Sequence, residues 1–359
     1  MAYTTIDDPS AHFQTVLWTG DGNSTKAITN DGNSDLQPDL VWLKNRTDAE
    51  NHTLADTSRG VTKRIVSNSD GAEDTNGIAS IQSDGFTAQL SYNGNTNAKN
   101  YVAWQWKANG GTTTENDASQ TSVGSLDSVY QANTTAGFSI VLYTGSGNAA
   151  TIAHGLGVKP ECILVKNRSK SGGEGWTVYH GANTSAPETD GIHLNLTNAT
   201  SDSTDHWNDQ APTTTTFGIS GDDRSGGGYT YVGYVFNSVQ GYSKFGSYTG
   251  NGAQDGTFVY TGFKPAWIMI KRTDAAKNWY IADSKRSPSN VNKAHLVANS
   301  NAAEDTSGDG TDSYFDILSN GFKLRQDFSH LNADGGTFVY MAFAEHPFVS
   351  SEGVPCTAR

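Results

Sequence analysis

Ser139-Ile140-Val141-Leu142-Tyr143-Thr144-Gly145-Ser146-Gly147 and, after a short gap, Pro160-Glu161-Cys162-Ile163-Leu164-Val165-Lys166-Asn167-Arg168 make up one copy of a pattern that the chain uses three times. The first copy is Val16-Leu17-Trp18-Thr19-Gly20-Asp21-Gly22, then Pro38-Asp39-Leu40-Val41-Trp42-Leu43-Lys44-Asn45-Arg46. The third is Gly246-Ser247-Tyr248-Thr249-Gly250-Asn251-Gly252, then Pro265-Ala266-Trp267-Ile268-Met269-Ile270-Lys271-Arg272. Each is an aromatic-Thr-Gly-x-Gly turn, a proline, and an apolar run that ends in a basic residue. Self-similarity at a long period signals repeated structural units. The apolar runs are short and bounded by Pro and Lys, so they suit strands buried on both faces better than helices. Glycines between strands predict hairpin turns that need positive φ. A phosphate-binding loop would need a following Lys-Ser/Thr and a helix N-terminus, and these turns offer neither.

Other segments repeat in step. Tyr101-Val102-Ala103-Trp104-Gln105-Trp106, Tyr231-Val232-Gly233-Tyr234-Val235-Phe236 and Tyr340-Met341-Ala342-Phe343 close the three copies, with the period of two that turns alternate side chains to one core. Thr53-Leu54-Ala55-Asp56, Thr177-Val178-Tyr179-His180 and Trp279-Tyr280-Ile281-Ala282-Asp283 occupy a common middle slot. A spacing of about 100 residues is that of a β-sandwich domain. The fold class read from the sequence is therefore all-β, with three related β-sandwich or jelly-roll-like units in tandem. Unit 1 covers 1–106, unit 2 covers 137–240, and unit 3 with its tail covers 241–359. Residues 107–136, biased in composition, form a linker or extended arm with a weak strand near Ser128-Val129-Tyr130. One or two short helices are expected, with residues 289–298 a candidate.

Composition agrees. A chain of 359 residues is too long for one ordinary domain, and 14 Phe, 15 Tyr and 8 Trp can supply three cores, which excludes disorder. Only 17% of residues are charged, and the net charge is −13, which repels a phosphate backbone and argues against nucleic-acid binding. The densest basic clusters, Arg59 with Lys63 and Arg64 and Lys285 with Arg286, read as solvated faces. Cys162 reads as a small core hydrophobe, and no disulfide framework is suggested by Cys162 and Cys356. The opening residues lack a signal peptide's apolar segment, and no run approaches the roughly 18 apolar residues of a membrane span, so no membrane insertion is expected.

The inventory for catalysis is thin. The nine His residues fall into no His-Glu-x-x-His spacing and no Cys-x-x-Cys accompanies them, so no metal and no cofactor is expected. The acidic loop Glu304-Asp305-Thr306-Ser307-Gly308-Asp309-Gly310-Thr311-Asp312 lacks EF-hand spacing and reads as a solvated loop. Asp222-Asp223-Arg224 reads as a turn. Polysaccharide cleavage would need two carboxylates about 5 to 9.5 Å apart, and nothing in the sequence selects such a pair. The best recognition candidate is Asp205-His206-Trp207, a Trp flanked by polar residues in a segment the other units do not copy. Read functionally it is a glycan contact, with the indole face stacking on a sugar ring. Read structurally it is a loop anchored by Trp207.

Three strings carry a family resemblance. Tyr3-Thr4-Thr5-Ile6-Asp7-Asp8-Pro9-Ser10-Ala11-His12-Phe13-Gln14 resembles the start of a group of virion proteins from marine tailed bacteriophages. Gly241-Tyr242-Ser243-Lys244-Phe245-Gly246-Ser247-Tyr248-Thr249-Gly250-Asn251-Gly252 and Tyr340-Met341-Ala342-Phe343-Ala344-Glu345-His346-Pro347-Phe348 extend the likeness. The resemblance implies a virion-bound, non-enzymatic protein of β domains, assembled in the host cytoplasm, and brings no site residues. Its partners would be other virion proteins of tail or capsid, further copies of itself (a trimer among the forms) and a host surface glycan. A tail-fibre or appendage role in host attachment leads. Capsid decoration and a virion-borne polysaccharide depolymerase are the rivals.

Overall fold

The structure is a computed structural model of the chain and describes residues 3–90, 94–172, 175–306 and 315–356. It is nearly all-β, and its two short α-helices are Ala118–Thr121 and Thr204–Trp207. Residues 289–298 form no helix and instead contribute the short strand Leu296–Val297.

Each copy of the repeat builds the same antiparallel ladder. Its opening strand (Phe13–Thr19, Phe138–Thr144, Ser243–Thr249) pairs with the closing strand (Asn100–Trp106, Thr230–Phe236, Thr337–Pro347). The closing strand pairs with the central strand that follows the proline turn (Leu40–Asn45, Cys162–Asn167, Phe263–Arg272). The central strand pairs with an outer strand (Thr53–Asp56, Trp176–His180, Trp279–Asp283). A smaller sheet covers one face of each ladder. In unit 1 it is Thr25–Ile28 with Gly85–Gln89 and Ser80–Gln82, in unit 2 Ala150–Ala153 with Thr216–Ile219, and in unit 3 Phe258–Tyr260 with Gly321–Leu324 and Phe315–Leu318.

The closing strands are buried on both faces, and this decides the tertiary structure. Tyr101 and Ala103 point into the sandwich core of unit 1, whereas Val102, Trp104 and Trp106 point the other way. That second face belongs to a core common to all three units, which gathers Trp42, Trp104, Trp106, Trp176, Trp267 and Trp279. Six indoles in one core bury a large apolar area, the main stabilising term in folding. The units therefore close around each other instead of standing in line.

Register makes the closure cyclic. Trp104, Tyr234 and Met341 are equivalent on the closing strands, opposite Trp42, Leu164 and Met269. Asp56, His180 and Asp283 are equivalent at the ends of the outer strands. Tyr234 donates to Asp56 Oδ2 of unit 1 at 2.7 Å, His180 Nε2 meets the Tyr340 carbonyl of unit 3 at 3.1 Å, and Trp104 Nε1 donates to Asp283 Oδ2 of unit 3 at 2.9 Å. Unit 1 thus meets unit 2, unit 2 meets unit 3, and unit 3 returns to unit 1. One chain builds a pseudo-threefold ring.

The basic residue that ends each apolar run is part of the ring. Lys44, Lys166 and Lys271 are fully buried. Their ammonium groups donate to Asn301 O at 3.2 Å, Asp70 O at 3.2 Å and Thr197 O at 2.9 Å, always in the neighbouring unit. Four residues earlier in each of those loops, a carbonyl meets a ring nitrogen: Val297 O and His52, Val66 O and Trp176, His193 O and Trp279, at 3.0, 2.9 and 2.8 Å. Three residues later, the backbone N–H of Glu304, Glu73 and Thr200 donates to the carbonyl of Arg46, Arg168 and Thr273. Burial pushes Lys44 and Lys166 down to about 8 and Lys271 down to about 7.

The Thr-Gly-x-Gly turns are not hairpins. They carry the chain from the large sheet to the small one, because the strand after each turn pairs in the other layer. The aromatic before each turn stacks on the first aromatic of the closing strand. Trp18 lies on Tyr101, Tyr143 on Tyr231 and Tyr248 on Phe338, with centroids 5.1, 5.1 and 4.9 Å apart. Its polar tip donates to the loop ahead of that strand, at Gly94 O, Ser225 O and Leu331 O. The first glycine is required by close approach: a Cβ on Gly20, Gly145 or Gly250 would lie 2.1, 2.1 or 2.2 Å from a carbonyl oxygen of the same loop. Only the second glycine needs positive φ, which is 77° at Gly22 and Gly147 and 61° at Gly252.

Residues 107–136 do not hang free. Thr114–Asn116 and Ser128–Asn133 extend the large sheet of unit 2 to six strands by pairing onto its opening strand.

Candidate functional site

Asp205-His206-Trp207 lies on the short helix Thr204–Trp207, capped by Ser203, whose Oγ accepts from the Asp205 N–H. The helix turns Trp207 inward. At 1% exposure its ring packs edge-on against Tyr179 in the sandwich core of unit 2 and offers no face to a sugar. His206 is also 1% exposed, bonded through Nδ1 to Thr177 Oγ1 at 2.6 Å, and burial pushes it down to about 3. Its ring sits where a Cβ on Gly191 would be. Only Asp205 reaches solvent, where it pairs with Arg224. The proposed glycan contact is corrected to a buried plug, because a ring sealed in a core cannot stack on a ligand.

The two basic clusters are corrected as well. Arg59 and Arg286 have fully buried side chains at the junctions between units. Arg59 donates through Nε to Asp56 at 2.5 Å and through Nη1 to Glu73 at 2.9 Å, and Glu73 also receives Arg168 of unit 2 at 3.0 Å. The same network recurs at the junction of units 3 and 1: Arg286 bonds Asp283 at 2.5 Å and Glu304 at 2.9 Å, and Arg46 bonds Glu304 at 2.7 Å. Burial opposes the charge on Glu73, but the guanidiniums of Arg168 and Arg59 prevail and hold its carboxyl below the ordinary value. A sequence signal existed. Asp56-Thr57-Ser58-Arg59 and Asp283-Ser284-Lys285-Arg286 both follow an outer strand, whereas unit 2 has His180-Gly181-Ala182-Asn183 there. Glu304 belongs to this network and not to a solvated loop, and residues 307–312 of that acidic stretch lie outside the described residues.

Strongly shifted groups often mark active sites, but the inference depends on their facing a cleft. Here His52 and His180 lie in sealed junctions, and His154 and His206 are buried within unit 2. His52 is held neutral at about 3 by burial while its Nδ1 accepts from Trp42 Nε1 at 2.9 Å, and His180 is held at about 4 by burial. Each makes a cross-unit bond, so each shift records packing. Among the described residues, no group of three His, Cys, Asp or Glu is placed to hold a metal ion. No helix among them is long and apolar enough to cross a membrane. Cys162 is fully buried, 3.9 Å from Met341 Sδ.

A cavity of ≈ 660 Å³ lies within unit 2, where the added strands meet its opening strand at Asp117, Ser128 and Tyr143, and two grooves lie between units. One groove, of ≈ 500 Å³, runs between units 3 and 1 beside Thr15, Ala266 and Lys285. A second, of ≈ 510 Å³, runs between units 2 and 3 beside Phe245, Glu161 and Ala182. These residues are equivalent by register, so the grooves are two versions of one feature. A smaller cleft of ≈ 150 Å³ at Asp70, Lys170, Asp222 and Asp223 is bridged by the Lys170–Asp223 ion pair. One wall of each groove is the edge of an opening strand, Phe13–Thr19 in the first and Ser243–Thr249 in the second.

No curated protein and no solved structure matches the chain. A family model described as a domain of unknown function, DUF7483, matches residues 8–347. That span takes in the opening strand of unit 1, all three proline turns and the last closing strand, so the ring of three is the family's own domain and the chain belongs to the DUF7483 family.

Proposed function

We propose that the protein is a non-enzymatic structural component of the surface of a tailed-phage virion, a fibre or appendage component that contributes to host attachment. The observation that carries this reading is the pseudo-threefold ring, a body sealed by cross-unit bonds around a common aromatic core. Such a body suits a threefold-symmetric mount on a particle, with loops and grooves directed outward. The resemblance of the opening and closing strings to marine phage virion proteins supplies the setting. Its partners are then other virion proteins and, at the host, a surface glycan.

Gold-labelled antibody on intact particles tests the reading, with label expected at the tail. Purified protein is expected to bind host cells, and soluble surface polysaccharide to block that binding. The compact ring without a shaft equally favours capsid decoration. Label on the head, together with raised heat stability of stripped capsids and no binding to cells or glycans, would replace the first reading with the second. Release of reducing ends from host polysaccharide would overturn both in favour of a depolymerase.

A further inference from the structure

The ring has three equivalent opening strands, and their outer edges are treated in three different ways. In each, alternate residues point their N–H and C=O away from the closing strand: Phe13, Thr15 and Leu17; Phe138, Ile140 and Leu142; Ser243, Phe245 and Ser247. In unit 2 the edge is paired by Ser128–Asn133, antiparallel, with Asn133, Gln131 and Val129 opposite Phe138, Ile140 and Leu142. Gln131 anchors that strand in the groove between units 1 and 2. Its Nε2 donates to Thr57 Oγ1 and Ser58 Oγ at 2.9 Å each, and its Oε1 accepts from Gly111 N at 2.7 Å. In unit 3 the inner end of the edge is closed by the short turn from unit 2: Val239 bridges Ser243, and Phe245 N donates to Ser238 Oγ at 3.1 Å.

In unit 1 none of the described strands pairs with the edge. Among the described residues, the N–H and C=O of Phe13, Thr15 and Leu17 meet no hydrogen-bond partner. Thr15 is 5% exposed, lines the groove, and its Oγ1 also has no partner. Leu17 is 36% exposed, whereas its equivalent Leu142, beside the added strand, packs against the common core. The groove continues the interface of units 3 and 1, and the ion pair at its mouth, Lys285 with Asp31, is solvent-exposed and therefore weakly held.

An unpaired edge is a template for another strand, and a peptide joins it through main-chain bonds with side-chain pockets setting specificity. We infer that the opening strand of unit 1 is a docking edge for an extended segment of a partner polypeptide. The segment adds antiparallel, with a hydroxyl or amide side chain facing Thr15 and an apolar residue covering Leu17. The model for the occupant is the chain's own strand Ser128–Asn133 in the equivalent groove. The inference does not depend on where on a particle the protein sits.

The probe is a fluorescent synthetic peptide of residues 126–134 titrated into the full chain, with amide hydrogen exchange followed by NMR. Saturable binding is expected, with exchange at Thr15 and Leu17 slowed at least tenfold. A peptide carrying Gln131→Pro, which lacks an inward N–H, is expected to bind at least tenfold more weakly, a control that leaves the protein untouched. Leu17→Pro in the protein is expected to have the same effect and Ser247→Pro none. Absence of binding, or protection confined to the opening strand of unit 2 by displacement of its own arm, would overturn the inference. Self-association of the chain that Leu17→Pro abolishes would reassign the edge to a second copy and overturn the partner assignment.

Discussion

The junction between units 1 and 2 and the junction between units 2 and 3 solve one packing problem in two ways. The first holds a buried network of Asp56, Arg59, Glu73 and Arg168, and the second places His180, Thr200 and Thr273 at the matching positions. The backbone contact beneath them is the same, Glu73 N to Arg168 O at 2.7 Å and Thr200 N to Thr273 O at 2.8 Å. The Asp56–Arg59–Glu73–Arg168 network is therefore not needed to place the units, whereas a buried lysine spans both junctions. Aromatic packing and carbonyl bonds place the units, and the ions of the network are committed to each other once the core has closed. A buried ion pair is often worth no more than an apolar replacement, while half of one is costly.

The largest expected effect tests that statement. Arg59→Met strands Asp56 in a sealed site and is expected to lower unfolding free energy by about 3–5 kcal/mol in denaturant titration. Replacing Asp56, Arg59, Glu73 and Arg168 together by apolar residues of similar volume is expected to restore most of the loss. A cost for the quadruple variant as large as for the single one would break the comparison.

The junction that lacks the arginine network carries its own liability. His180 is pushed down to about 4 by burial, against an unfolded value near 6.5. Between those pH values the unfolded chain binds the proton and the folded chain does not, so stability is lost as pH falls from about 6.5 to about 4. At 1.36 kcal/mol per unit, His180 alone is expected to contribute about 3 kcal/mol of that loss. Urea titrations across the window are expected to show a shallower slope for His180→Gln than for the parent chain. An unchanged slope would remove His180 from the account.

The turns allow a sharper comparison, since three copies of one motif can be altered separately. Gly145→Ala forces a Cβ against the backbone carbonyl of Gly227 and is expected to cost about 1–3 kcal/mol, with Gly20→Ala and Gly250→Ala alike. Tyr143→Phe keeps the ring stack on Tyr231 and loses only the bond to Ser225 O, for about 1 kcal/mol. Thermal scans of the four variants would rank them. A Tyr143→Phe effect above that of Gly145→Ala would mean that the hydrogen bond, not the close approach, fixes the turn.

Much of the fold was legible in the sequence because the repeat is strong and β periodicity is local. The central strands contain the apolar runs, the closing strands contain the alternating segments, and each opening strand ends at a Thr-Gly-x-Gly turn. Contacts between units were not legible, because the feature that encodes them, a closing strand apolar on both faces, is also what a deeply buried strand of one sandwich shows. The repeated Asp-x-x-Arg after two outer strands was visible, but local charge patterning assigns such clusters to solvent, and only tertiary closure buries them. Trp207 misled for a related reason. Polar neighbours suggested an exposed loop, while a four-residue helix with a Ser cap turned the ring inward. The open edge beside Thr15 depends on what does not pair there, which no residue pattern announces.

Covalent continuity of the three units has a consequence for dilution. A core shared by three separate chains would form in a third-order process and come apart as concentration falls. Here the connections, residues 107–137 and 237–242, keep the partners in reach, so closure is unimolecular. A single molecule released far from any other copy keeps its tryptophan core, and its midpoint of unfolding should not move with protein concentration.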